Sequence, residues 1–153
     1  MRKSEWFING VRMIPTEEEE QTALFSWAEL NMGRFPELRW LFHIPNGGKR
    51  SKPEAARFKA AGVKAGVSDL FLPWPRGGYH GLWIEMKALD GRPSAEQKVF
   101  IRDMKTAGYA ALICYGAEEA EAVISRYLEI GRRPTPEVPA SRESSLAGKA
   151  VEE

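Results

Sequence analysis

The sequence predicts an α/β domain built on a mixed sheet of about four strands flanked by helices. Three observations carry that prediction: apolar residues recur at helical spacing in four segments, short apolar runs of strand length lie between them, and Gly- or Pro-containing turns separate most of the pieces. The segment PTEEEEQTALFSWAELNMG (15–33) places Thr16 before an acidic first turn and closes near Gly33, which reads as a helix. RWLFHIP (39–45) reads as a short strand, and SKPEAARFKAAG (51–62) as a helix opened by Pro53 and closed by Gly62. SDLFLPW (68–74) and GLWIEMKAL (81–89) are apolar enough to be adjacent strands, joined as a hairpin by the turn-forming PRGGYH. SAEQKVFIRDMKTAG (94–108) is then a helix, YAALICYG (109–116) a strand, and AEEAEAVISRYLEIG (117–131) a final helix. Helices and strands alternating in this order pack as a sheet with helices against it.

A chain of 153 residues, 43% hydrophobic with five Trp and seven Phe, can bury one sizeable core. Residues 16–130 are expected to form the domain, 1–15 an N-terminal extension, and 131–153 a disordered tail poor in large apolar residues. The single cysteine, Cys114, excludes an internal disulfide and sits in an apolar run, which points to a buried role and a reducing, cytoplasmic setting. No apolar run approaches the roughly 20 residues needed to cross a bilayer, and MRKSEWFING lacks a signal-peptide core, so a soluble protein is expected. The net charge is +1, yet from Pro45 to Lys105 twelve Lys and Arg stand against six Asp and Glu. Concentrated basic surface attracts phosphate backbones and makes nucleic acid a candidate partner, the plainer alternative being a solvated face.

The stretch GLWIEMKALDG (81–91) holds the chemistry. Side chains alternate faces along a strand, so Leu82, Ile84 and Met86 point one way while Trp83, Glu85 and Lys87 point the other. An exposed charge pair would explain Glu85 and Lys87 alone, but Asp69 stands at the start of the preceding strand, and a hairpin brings its carboxylate toward Glu85. Two converging carboxylates repel unless a cation offsets them. Magnesium suits such a pair, because it takes carboxylate oxygens together with substrate phosphates and water. Asp69 and Glu85 would hold the ion, and Lys87, a compact charge on a flexible stem, would orient water or offset charge in the transition state.

At these residues the sequence resembles the PD-(D/E)XK nuclease superfamily, with an Asp at a strand start followed some fifteen residues later by IEMK. HIPNGGKR, AAGVKAGVSDLFL, GLWIEMKALDGRPSAEQ and AGYAALICYG, in that order, more narrowly resemble the VRR-NUC domain, the virus-type replication and repair nuclease module. The resemblance covers Glu17 to Leu128. It implies a PD-(D/E)XK-like core and Mg2+ or Mn2+ as cofactor. For stand-alone members it implies a homodimer that cuts branched DNA such as Holliday junctions, in the cytoplasm of a bacterial or phage-infected cell. A helicase or another replication protein is the class of partner to consider. Ser68 stands where the superfamily has Pro, a departure expected to affect backbone stiffness more than metal binding.

The family pattern also includes an acidic residue on the first helix, here one of Glu17 to Glu20. With Thr16 as N-cap, Glu19 closes a capping box, and Glu17 and Glu18 meet the helix dipole. Glu20 is left without such a task and shares a stripe with Ala23, Leu24, Trp27 and Asn31, so it is the expected helix-borne metal ligand or water positioner. Glu17, aligned with Gln21, Leu24 and Ala28, is next. Gln97 matches a family glutamine near the active site, while SAEQ is also a capping box, and one side chain can do both. Asn46, Lys49, Arg50 and Lys52, around a Gly pair, form a basic loop suited to following a phosphate backbone. His43 reads as structural, and two histidines make no zinc site. Trp74 and the EWFING segment are candidates for a dimer interface or for the core.

The expected function is therefore a metal-dependent, structure-specific DNA endonuclease with Asp69, Glu85, Lys87, Glu20 and Gln97 as its site. Another PD-(D/E)XK endonuclease, of flap or restriction type, or a non-cleaving DNA-binding module of the same fold, stands as the alternative. Completeness of the charged set argues against a decayed site.

Overall fold

The structure, a computed structural model, describes residues 7–46 and 50–132. A short hairpin of β1 (Phe7–Ile8) and β2 (Val11–Arg12) precedes helix α1 (Glu17–Asn31). A 3₁₀ helix (Pro36–Trp40) leads into β3 (Phe42–His43), followed by α2 (Lys52–Ala60), β4 (Leu70–Leu72), β5 (Leu82–Lys87), α3 (Ala95–Thr106), β6 (Ala110–Tyr115) and α4 (Ala117–Glu129). The sheet order is β3-β4-β5-β6, antiparallel from β3 to β5 and parallel between β5 and β6. Helix α3 is the crossover that a parallel pair requires. The expected mixed sheet of four strands flanked by helices is the one observed.

Capping explains where the helices start. Thr16 Oγ1 accepts from Glu19 N at 3.2 Å and Thr16 N donates to Glu19 Oε2 at 2.7 Å, the predicted capping box. Ser94 and Gln97 form a second one at the head of α3. The α2 helix is opened by Ser51, whose Oγ accepts from Glu54 N, with Pro53 in the first turn. One face of the sheet presents Leu70, Leu72, Leu82, Ile84, Met86 and Cys114 to Leu24 and Ala28 of α1 and to Ala120, Ile124 and Leu128 of α4, all buried. Trp74 packs against this core and Phe35 is enclosed by it, which places Trp74 with the domain interior. The opposite face carries aromatic rings. Phe71 stacks on Trp83 at 4.1 Å and Phe100 of α3 meets Trp83 edge-on at 5.0 Å.

One expectation is corrected. The strand expected over 39–45 is cut to Phe42–His43, because the chain from Pro36 makes a 3₁₀ turn that buries Leu38, and β4 offers only three residues to pair with. Within the expected N-terminal extension, residues 7–12 make a hairpin around Asn9-Gly10, both at positive φ as a type I′ turn requires. Arg12 fastens that hairpin to the loop after β5 by a bidentate pair with Asp90 at 2.6 and 2.8 Å. The expected tail lies, from residue 133 onward, outside the described residues, and so do Glu5 and Trp6 of EWFING. Among the described residues no helix is long and apolar enough to cross a membrane.

Candidate active site

Strand β5 projects its charged residues as alternation predicts, but not into solvent. Glu85 is 0% exposed and Lys87 6%. Isolated burial of either charge would be prohibitive, so the pair must be compensated. Lys87 Nζ donates to Glu85 Oε1 at 2.7 Å, and Gln97 Nε2 donates to the same oxygen. Gln97 Oε1 simultaneously accepts from Ser94 N at 2.7 Å, so the capping box fixes the amide with its NH2 group turned toward Glu85. The helix cap and the contact to the site are one arrangement.

Asp69 lies just before β4, and its Oδ2 accepts from Met86 N at 2.8 Å, which ties its carboxylate to the strand between Glu85 and Lys87. Its own carbonyl accepts from Ile44 N at 2.7 Å and lies 3.0 Å from His43 Nδ1. The chain reaches this position through a close approach at Gly66, where φ is +83° and a Cβ would stand 2.8 Å from the Glu96 backbone. Only glycine allows the loop to press against the head of α3 there. Ser68, the residue before Asp69, is fully buried, and its hydroxyl has no partner among the described residues.

Burial is the largest influence on Glu85 and pushes its carboxyl up to about 7; the hydrogen bond from Lys87 opposes the rise and the negative charge of Asp69 adds to it. For Lys87, burial works toward a lower value, but Glu85 above all, then Glu17 and Asp69, leave the ammonium raised and firmly charged. The second oxygen, Glu85 Oε2, is buried with no hydrogen-bond partner among the described residues.

The acidic helix contributes differently from expectation. Glu17 Oε2 lies 3.4 Å from Lys87 Nζ, and Glu17 shares a cleft of about 450 Å³ with Gln21, His43, Pro45 and Asp69. Glu20 is not brought to that cluster. Its Oε2 accepts from Ala117 N at 2.7 Å, at the head of α4, where the N-cap is Gly116 and offers no side chain. Glu20 thus has the capping task that local reasoning did not supply, because its partner is 97 residues away. Replacing it with alanine should cost about 1 kcal/mol of stability, read as a lowered melting temperature, whereas Glu17→Ala, which removes a well-exposed carboxylate 3.4 Å from Lys87 while Lys87 keeps its bond to Glu85, should cost little.

Of the expected DNA contacts, Asn46 Nδ2 donates to Val67 O at 3.0 Å and pins the basic loop to the segment before Asp69. Arg50 lies over the Phe58 ring at 4.2 Å, Lys52 is exposed at the start of α2, and Lys49 lies outside the described residues. His43, read as structural, lines the cleft beside Asp69; its position on a strand paired with the Asp69 segment was the available signal.

Among the described residues no three His, Cys, Asp or Glu side chains converge as a ready-made metal cage. The donor set nevertheless fits a hard divalent cation of the kind that binds through two carboxylates and completes its shell with water and phosphate. Glu85 Oε2 is a buried oxygen with no donor, and the Asp69 carboxylate is near enough to raise the Glu85 pKa.

A mixed sheet with an Asp at one strand start, a buried Glu-x-Lys on the next, and a helix-cap Gln against them defines a nuclease-like α/β core. Residues 15–118 match the VRR-NUC domain family, and the chain belongs to it. A solved structure of a VRR_NUC domain protein is similar at a TM-score of 0.66 and 35% identity, covering 76% of this chain and 91% of that one. A comparison with curated proteins finds no match.

Proposed function

We propose that this protein is a metal-dependent, structure-specific DNA endonuclease, acting as a homodimer on branched DNA such as four-way junctions. The observation that carries the reading is the buried Glu85–Lys87–Gln97 cluster, which leaves one Glu85 oxygen without a partner among the described residues and has near it Asp69, whose side of the site lines an open cleft. Asp69 and Glu85 are the residues to hold Mg2+ or Mn2+, which when bound supplies a Lewis acid for the phosphodiester and acidifies a water. Lys87 offsets the negative charge that grows on the phosphate oxygens as water attacks, and its surrounding carboxylates keep it protonated for that task. Gln97 holds Glu85 in one orientation, so the second carboxylate oxygen stays available. Glu17, on the cleft side of Lys87, is the better placed of the helix carboxylates to position the attacking water, and Glu20 serves α4 instead.

The basic excess from Pro45 to Lys105 supplies the attraction to the DNA backbone. Cleavage of a labelled four-way junction, compared with flap, linear duplex and single strand in Mg2+, Mn2+ or EDTA, tests the proposal. Symmetric, metal-dependent incisions in the junction are expected from a dimer. Equal cutting of linear duplex would remove branched DNA as the substrate class, and binding without cutting would remove the enzymatic reading. Within the active preparation, Glu17→Gln should slow cleavage by about tenfold to a hundredfold, the range for mispositioning a reactant, while Glu20→Gln should leave the rate per folded molecule near wild type.

A further inference from the structure

We propose that the groove between α2 and the segments flanking β3 and β4 is a pocket for one unstacked nucleotide, which the enzyme draws out of a branch point to seat the strand beside the catalytic carboxylates. This inference rests on the nuclease reading above and deepens it. The groove holds about 480 Å³ and has Ile44, Phe58 and Val63 as apolar lining with Asn46, Arg50 and Lys64 around it. That volume and character suit a flat ring with a charged appendage. Pro45 lines this groove and also the cleft that contains Asp69 and Glu17, so the two cavities share a wall. Val67 lines it as well, two residues before Asp69.

Charge decides the occupant. From Arg50 to Lys64, five cations (Arg50, Lys52, Arg57, Lys59 and Lys64) stand against one acid, Glu54. A polyanion fits a groove lined by Arg50 and Lys64 in so basic a segment better than a peptide of ordinary composition. The aromatic floor decides the part of the polyanion. Phe58 is only half-buried, and the Arg50 guanidinium lies on its ring at 4.2 Å, with that of Arg57 at 5.7 Å. An aromatic face and a guanidinium plane are each a surface on which an unpaired base stacks. Among the described residues the one other hydrogen bond of Arg50 is a 3.3 Å contact to Pro45 O at the surface, so the side chain can move onto the phosphate while the base takes its place on Phe58. A base in a continuous duplex is already stacked and cannot enter. A base at a junction, fork or flap is less costly to extrude, which links the pocket to branch recognition without any sequence-specific contact.

The test is equilibrium binding in EDTA with full-length protein, using four-way junctions and linear duplexes that carry 2-aminopurine at successive positions around the branch. Wild type should quench or shift the fluorophore at one position near the branch and should prefer the junction. Phe58→Leu, which keeps the apolar packing, should lose that signal and weaken junction binding by about tenfold or more, the loss of one base–aromatic stack, with much less effect on linear duplex. Phe58→Trp should restore both, and Arg50→Gln should weaken binding while keeping the fluorescence change. Junction binding and fluorescence of Phe58→Leu indistinguishable from wild type would overturn the proposal, as would equal losses on junction and linear duplex. Cleavage is scored separately. If wild type cuts junctions while Phe58→Leu shows no binding defect, the pocket fails and the nuclease reading stands; if nothing is cut but the fluorescence change depends on Phe58, the reverse holds.

Discussion

Replacing Lys87 with methionine should abolish phosphodiester cleavage, by at least about a hundredfold, because a fixed charge on the transition state is typically worth that much or more. The structure adds a second consequence that an exposed strand face would not have had. Lys87 is buried against Glu85, and removing one partner of a buried pair costs about 3–5 kcal/mol when the remaining charge cannot escape. Here it can, since the Glu85 carboxyl is already poised at about 7 and takes up a proton once the ammonium is gone. The stability loss should therefore fall below that range, and the variant should fold. Cleavage per folded molecule, junction binding in EDTA and a thermal melt together separate the roles. A variant that folds, binds and still cuts at the wild-type rate would show that Lys87 is a structural counter-ion only.

Glu85 should make the metal-free protein progressively less stable as pH rises. Its carboxyl is raised from the ordinary value of 4.5 to about 7, first by burial, against the pull of the Lys87 hydrogen bond and with the repulsion of Asp69. Between those two values the folded state binds the proton more tightly than the unfolded state. The associated stability is fully present below about 4.5 and is lost as pH rises through about 7, an effect on the order of 3 kcal/mol. Denaturant melts in EDTA should show this decline, and Glu85→Gln should flatten it over the same window. Adding Mg2+ or Mn2+ should stabilise wild type more above about pH 7 than near pH 5, because proton and cation compete for the same oxygens. An unchanged slope in Glu85→Gln would mean that another group controls the transition.

Much of this was legible in the sequence where the determinants are local. Thr16 with Glu19 and Ser94 with Gln97 fixed two helix starts, and the alternation of IEMK correctly put Glu85 and Lys87 on one face. Alternation alone did not reveal that this face is enclosed, because the enclosure depends on Gln97 and Asp69 arriving from other elements. The bond of Glu20 to Ala117 N was hidden for the same reason. Both helix stripes are partly inward, and what separates them is the orphan N–H at Ala117, visible only once α1 and α4 are packed together. The β1–β2 hairpin is a different case. Asn9-Gly10 is a strong local turn signal, and the flanking residues are simply too few to look like strands. The shortened β3 shows the opposite error, in which apolar residues that suit a strand serve a 3₁₀ turn because Leu38 reaches the core that way.

The central claim is that Asp69 and Glu85 hold a divalent cation for hydrolysis of branched DNA. It is tested most directly by comparing wild type with Asp69→Ala on a labelled four-way junction in Mg2+, in Mn2+ and in EDTA. The account predicts incision by wild type in either metal, none in EDTA, and none by Asp69→Ala under any of the three conditions while junction binding persists. Incision by Asp69→Ala at the wild-type rate, or by wild type in EDTA, would contradict it.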